Sequence, residues 1–404
     1  MYKPGLHRFA VLTAMATLAL IGIGGLVTSN EAGLAVYDWP TSYGYNMFFF
    51  PIKWWNGGIF YEHSHRLLAT IVGVLVVALT RWLGGTPSRR PLAIIGLAEI
   101  LAGVAIFCFW PELKATGHFL TGVGGVVLLA AVVWVRNEPT RPLVPLGWWV
   151  FGLVQFQGLL GGLRVVLING QIGIFHAALA QLFFVLTCTV ALLTGKWWVR
   201  QRSERVEERF VFPGKLRMAF LFATILIFAQ LVLGATMRHQ HAGLSIPDFP
   251  LAYGKLWPAM DADSIAHYNQ LREQRDALTS LNPITAFQVG LQMAHRLLAL
   301  LILAAVAHCA WHSRRTLPAV RRLSVFWLCL ILGQAGLGAA TVLSNKAADI
   351  ATAHVLVGAL SLATGVSLCI ICRRSPVPER DTVLSNTGLH VGGERPLTAG
   401  TAAT

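Results

Sequence analysis

Ten apolar runs divide this chain, at about 10–28, 62–82, 92–110, 117–135, 147–167, 173–194, 218–236, 287–308, 323–343 and 351–372. Crossing about 30 Å of hydrocarbon takes roughly 20 helical residues at about 1.5 Å rise each, and every run meets that length. A mean hydropathy of +0.60, with 55% hydrophobic and only 12% charged residues, fits the same reading. The fold class expected is an all-α polytopic membrane protein of about ten transmembrane helices. An even number of crossings puts both termini on one side. The first run follows Lys3 and Arg8 without a small-residue cleavage site, so it is expected to stay as a helix.

The 404 residues carry a net charge of +14, and its distribution decides its meaning. Lys3, Arg8, Arg81, Arg89, Arg90, Arg136, Arg141 and seven bases between 195 and 217 all fall in alternate connections. Arg314, Arg315, Arg321, Arg322, Arg373 and Arg374 continue the alternation. This positive-inside pattern predicts cytoplasmic termini and contact with membrane lipid, and it gives no reason to expect nucleic acid. The opposite loops, 29–61 and 237–286, are longer and carry several acids. The six cysteines lie in or beside apolar runs, so neither long loop has a disulfide available. Cys369-x-x-Cys372 reads as a pair of small packing residues.

The chain also contains itself twice. Gly33-Leu34-Ala35-Val36-Tyr37-Asp38-Trp39-Pro40-Thr41-Ser42-Tyr43-Gly44 matches Gly243-Leu244-Ser245-Ile246-Pro247-Asp248-Phe249-Pro250-Leu251-Ala252-Tyr253-Gly254 at an offset of 210. His65-Arg66-Leu67-Leu68-Ala69 recurs as His295-Arg296-Leu297-Leu298-Ala299, and Gln157-Gly158-Leu159-Leu160-Gly161 as Gln334-Ala335-Gly336-Leu337-Gly338. His176 then follows Gln157 by 19 residues, and His354 follows Gln334 by 20. Four ordered matches predict two parallel, pseudo-symmetric four-helix bundles. His65 to His176 spans 111 residues but His295 to His354 only 59, and the runs at 92–110 and 117–135 supply the excess as an inserted hairpin. The expected organisation is an N-terminal bundle over 1–194 with the hairpin at about 86–140, and a linker over 195–217. A C-terminal bundle over 218–374 and a disordered tail over 375–404 complete it.

His65, His176, His295 and His354 lie near the same end of four of these runs, in two matched pairs. Keeping an imidazole inside a membrane is costly, so a repeated set at one depth points to ligands. Two histidines from facing helices suit the opposite axial positions of a porphyrin iron. Zinc is the rival, but it wants a third or fourth ligand and nothing else recurs in both halves. His63 and His118 have no repeat partner and are read as structural or interfacial; His239 and His241 are read as surface residues of an outer loop, with approach to a heme edge as the alternative. Gly158 and Gly162 let helices approach closely and would also leave a slot for a flat macrocycle. Arg66 and Arg296 are candidates for heme propionates or for snorkelling to headgroups.

Glu62, one turn before His65, corresponds to Gln292 in the second copy. A carboxylate beside a buried ligand can move a proton or answer a developing charge, which an amide cannot do by ionising. The first half is therefore expected to do chemistry and the second to hold a permanent heme.

These residues resemble the heme A synthase family. The resemblance rests on the stretch at 24–40 with its Asp38-Trp39-Pro40, on Glu62-x-x-His65-Arg66, on Gln157 to Gly162 with His176, and on His295-Arg296 and His354. It implies oxidation of the C8 methyl of heme O to a formyl group by two hydroxylations and loss of water. It also implies His65, His176 and catalytic Glu62 at the substrate heme, with heme b on His295 and His354. Heme O synthase and oxidase assembly factors are the partners it suggests, with self-association left open. Two departures stand out: ten helices where the family usually has eight, and no outer-loop cysteine pair. No nucleotide-binding Gly-rich fingerprint or Fe–S cysteine set appears, so an external electron donor is expected. Iron held by two imidazoles also has no open position for oxygen. A diheme b-type cytochrome exchanging electrons with quinone and a repeat-built transporter stay open as alternatives.

Overall fold

A computed structural model describes residues 2–133, 137–203, 213–275 and 283–373. The tail at 375–404, Arg374, the linker's Arg205 and Arg209, and Arg136 lie outside the described residues. Twelve α-helices are seen: α1 Pro4–Ser29, α2 Gly57–Gly84, α3 Arg89–Phe109, α4 Lys114–Val133, α5 Val144–Val166, α6 Gly170–Thr194, α7 Lys196–Ser203, α8 Gly214–His239, α9 Ala262–Arg275, α10 Ala286–His312, α11 Pro318–Leu343 and α12 Ala348–Arg373. Ten of them are long and apolar enough to cross a membrane, and the chain is a multi-pass membrane protein. The two short ones, α7 and α9, sit in the linker and in the second long loop.

Helix starts follow local chemistry. Pro4 and Pro318 stand first in α1 and α11, where a missing N–H leaves nothing unpaired. Asn169 caps α6 through the Gln171 amide, and Thr285 with Gln288 forms a capping box on α10. α2 and α6 begin upstream of the apolar runs, so His65 and His176 lie about two turns inside instead of opening their helices. Glycine-rich first turns carry too little hydropathy to mark the helix start.

The spans pack as two rings of four. α1, α2, α5 and α6 touch in cyclic order, as do α8, α10, α11 and α12, and the rings join through α1 and α6 against α8 and α12. Ile21 and Phe184 meet Ala359 and Ala363 at that junction. In each ring the apolar core fills the half away from the long loops, around Val76, Leu83 and Phe151 in one and Phe220, Val306 and Trp327 in the other. Polar residues are left for the long-loop half.

The inserted hairpin is α3 and α4, held together by glycines at seven-residue spacing. A Cβ on Gly103 would come within 2.6 Å of the Gly117 carbonyl, and one on Gly96 within 2.8 Å of the Gly124 carbonyl. Backbones that close gain the dispersion contacts on which membrane helices depend. Glu99 accepts a 2.7 Å hydrogen bond from Gln155 of α5, and Val127 and Ala131 join the first core. Gly103→Ala is therefore expected to lower thermal stability by about 1–3 kcal/mol through overpacking. Gly125→Ala, where a Cβ meets open space, should leave stability unchanged or slightly raised; equal melting shifts in the two variants would contradict this packing.

Candidate paired-histidine sites

The repeated loop sequences fold alike. Asp38 accepts from the Tyr43 and Gly44 amides at 2.6 and 2.8 Å, and Asp248 accepts from those of Tyr253 and Gly254 at 2.8 and 2.9 Å. Tyr43 and Tyr253 both sit at positive φ, and their hydroxyls donate to the carbonyls of Ala35 and Ser245. Burial works against charge on Asp38, but the Gly44 amide, the Thr41 hydroxyl and the Tyr43 amide together hold its carboxyl below the ordinary value. The repeat offset grows from 210 at these turns to 230 at the histidines. That excess accommodates α9, which stacks Tyr268 on Tyr253.

Each candidate histidine lies against a glycine of the neighbouring helix. A Cβ on Gly24 would come 3.0 Å from Cε1 of His65; on Gly161, 3.4 Å from that of His176; on Gly234, 3.4 Å from that of His295; and on Gly338, 3.1 Å from that of His354. In all four rings Nδ1 is buried without a hydrogen-bond partner, and in none is Nε2 so buried and unpaired. The four imidazoles thus share one orientation, with Nδ1 towards the supporting helix. Gln157, Gln230 and Gln334 donate to the backbone carbonyls of His176, His295 and His354 at 3.1, 2.9 and 2.8 Å. The remaining repeat position, before His65, holds Leu20.

Within the second ring the His295 and His354 centroids are 6.4 Å apart, with planes at 58°. Two iron–nitrogen bonds of about 2 Å, each extended by about 1.1 Å to a ring centre, require about 6.2 Å for a shared axial pair. His65 and His176 lie within electrostatic reach of one another in the first ring. Among the described residues no group of three or more His, Cys, Asp and Glu could hold a bare metal ion, which removes the ligand set zinc would want.

Glu62 and Gln292 do the same structural work with different chemistry. Glu62 accepts from the Val36 amide at 2.8 Å and pairs with Arg66 at 2.9 Å, while Gln292 accepts from the Ile246 amide at 2.7 Å and donates to its carbonyl. Arg66 also donates to the carbonyls of Val36, Asp38 and Thr41, and Arg296 to those of Asp248 and Leu251. Both guanidiniums, candidates for propionates or headgroups, hydrogen-bond the loop backbone.

Gly158 and Gly162 form no slot: a Cβ on the first would strike Phe119 of the hairpin, and one on the second would strike Trp39. His63 is buried, shares a 3.0 Å hydrogen bond with Ser42 Oγ and packs on Phe50 and Trp55, so it is structural. His118 is exposed and rests on Phe107. His239 leaves the second repeat to pack on Gly173 of α6, and Arg238 beside it donates to Gly25 and Ser29 of α1. Sequence reading missed the four supporting glycines, Gln230 and Arg164. The glycines were legible in part, since Gly24 and Gly234 share the loop offset and Gly161 and Gly338 lie in the quoted repeat.

Fold and site define a class: polytopic helical membrane proteins with a duplicated pair of histidines at matched helix positions. Residues 117–366 match the COX15-CtaA family, described as cytochrome oxidase assembly protein. That match covers more than half of the chain, which belongs to this family. A heme A synthase of Geobacillus kaustophilus is 25% identical over 394 residues, covering 93% of this chain and 95% of that protein. One of Hyphomonas neptunium is 23% identical over 88% of this chain and 90% of its own. Another, of Bradyrhizobium sp., is 30% identical over 61% of this chain and 65% of its own.

Gly338→Ala should push the His354 ring away from α11 and lower both bound pigment and thermal stability, the latter by about 1–3 kcal/mol. Gly336→Ala, which meets open space, should do neither. Identical behaviour of the two variants would separate the glycine from the histidine's position.

Proposed function

We propose that this chain is a heme A synthase, a membrane oxidoreductase that oxidises the C8 methyl of heme O to a formyl group, with both histidine pairs as heme ligands. The carrying observation is the 6.4 Å separation of the His295 and His354 rings, the spacing an axial pair needs. Curated relatives that span nearly the whole chain are named for this activity, and none of those cited is named as an electron carrier. The enzyme serves heme biosynthesis for cytochrome oxidase assembly.

In this reading the N-terminal bundle, 1–194, takes heme O on His65 and His176, and the C-terminal bundle, 218–374, keeps heme b on His295 and His354. Bound heme b supplies one-electron redox chemistry, while the chain fixes where each ring stands. The basic connections put the termini in the cytoplasm and the histidine pairs towards the periplasmic side of the inner membrane. Reducing equivalents come from an external donor. Heme O and heme A both partition into membranes, so transfer from heme O synthase and to oxidase assembly factors would occur there.

Glu62 is the first bundle's ionisable counterpart to an amide. It anchors its loop as Gln292 does, so its distinct contribution is charge: a carboxylate one turn from His65 can hold a proton or answer positive charge on substrate. Its pairing with Arg66 fixes the position of that charge.

Pigments extracted from membranes of cells making heme O should contain a formyl-bearing heme only when this protein is present. Membranes that hold the folded protein and heme O yet yield no heme A would defeat the reading. Glu62→Gln should lower turnover by about 100-fold or more, with bound heme and melting temperature unchanged because an amide already holds the matching loop. Full turnover in that variant would leave Glu62 as a loop anchor only.

A further inference from the structure

The first bundle contains a cation that the fold does not use. Arg164 stands in the last turn of α5, three residues beyond Gly161, the glycine that supports His176. Among the described residues no hydrogen bond or ion pair holds its guanidinium. The single described ion pair, Glu62 with Arg66, spends the nearby carboxylate elsewhere. Asp38 is likewise consumed by its own turn. Arg164 lies close enough to His65, His176 and His239 for its charge to reach all three rings.

The outer loop covers this cation. A Cβ on Gly33 would fall 2.5 Å from Nη2 and 2.9 Å from Nη1 of Arg164, so the loop backbone lies directly on the guanidinium. Two residues earlier on α5, Gly162 receives the Trp39 ring in the same way. A half-buried guanidinium beneath a loop, near a membrane boundary, is costly when the carboxylate within electrostatic reach, Glu62, is already paired with Arg66. The C-terminal end of α5 offers partial negative charge, but not a full anion.

The repeat makes the feature specific to one half. At the offset of 177 that relates the two glutamine motifs, Arg164 corresponds to Thr341. Thr341 bonds to its own helix at Leu337, and a Cβ on Gly243, the match of Gly33, would meet nothing within 4 Å. At the matching position the second bundle therefore has no cation.

We propose that Arg164 is the anchor for the propionate carboxylates of the heme held by His65 and His176, and sets how that substrate is seated. The inference rests on the reading of the first bundle as the heme O site. Heme O supplies the missing chemistry: two carboxylates on one edge of an otherwise apolar macrocycle. One of them shares a pyrrole with the C8 methyl, so fixing the carboxylates also fixes the methyl's place. Arg66 and Arg296 cannot substitute while they tie down the loops. A lipid headgroup phosphate would satisfy the same cation, and the two sources are separable by experiment.

The test is a Soret titration of the full-length protein with heme O and with its dimethyl ester, which keeps iron and macrocycle but removes both negative charges. Wild type should bind the ester about tenfold more weakly than the acid, the loss expected for a charged hydrogen bond. Arg164→Met should lose the same factor for heme O and no longer distinguish acid from ester, while Arg164→Lys falls between. The spectrum of heme on His295 and His354 should not change. Acid and ester bound alike by wild type would overturn the proposal and leave Arg164 to lipid. An equal loss for acid and ester in Arg164→Met would also overturn it, by showing general damage to the site. His65→Ala separates the two levels: unchanged heme O binding there would defeat the first-bundle site itself.

Discussion

The long-loop half of the molecule depends on an imidazole edge set against a glycine. Four times a helix bearing a histidine approaches a glycine of its neighbour; at Gly24 and Gly338 a methyl group would crowd the ring, and at Gly161 and Gly234 it would touch it. The missing Cβ fixes the ring's height and turns Nδ1 into the neighbouring helix, which leaves Nε2 as the available ligand atom. Glutamine amides on the neighbouring helix then secure three of the four histidine backbones. Side-chain packing elsewhere in each bundle only has to keep those helices parallel at that distance. The apolar clusters in the opposite half do so.

Against this symmetric frame the differences between halves become interpretable. Glu62 faces Gln292, Arg164 faces Thr341, and Leu20 faces Gln230. Each pair keeps the fold, and each changes charge or hydrogen bonding beside one histidine pair only. The first half has gained a carboxylate and a covered cation, while the second has a further amide that locks its histidine. These differences accord with the proposed division between a substrate site in the first bundle and a resident heme in the second. Arg238 and His239, from the second repeat, reach α1 and α6 and tie the two halves together at the same level.

Much of this was legible in the sequence because membrane burial imposes strong patterns. Hydropathy marked all ten spans, and the ordered repeats with their length excess exposed the hairpin. What escaped depended on distances between distant segments. Nothing in the spacing of Gly158 and Gly162 says that Phe119 and Trp39 fill them. Arg66 and Arg296 looked free because loop carbonyls, their real partners, carry no sequence signal. Glycines at seven-residue intervals in α3 and α4 were visible, but pairing 103 with 117 needed the turn between them. The helix α9 lay in a polar stretch that hydropathy passes over.

Electron paramagnetic resonance of the oxidised, heme-loaded protein tests the central claim most directly, because bis-imidazole iron is low-spin and six-coordinate. With both sites loaded, two low-spin ferric signals are predicted, one lost in His65→Ala and the other lost in His354→Ala. A high-spin signal in the wild type, or a His354→Ala variant that keeps both low-spin signals, would contradict this.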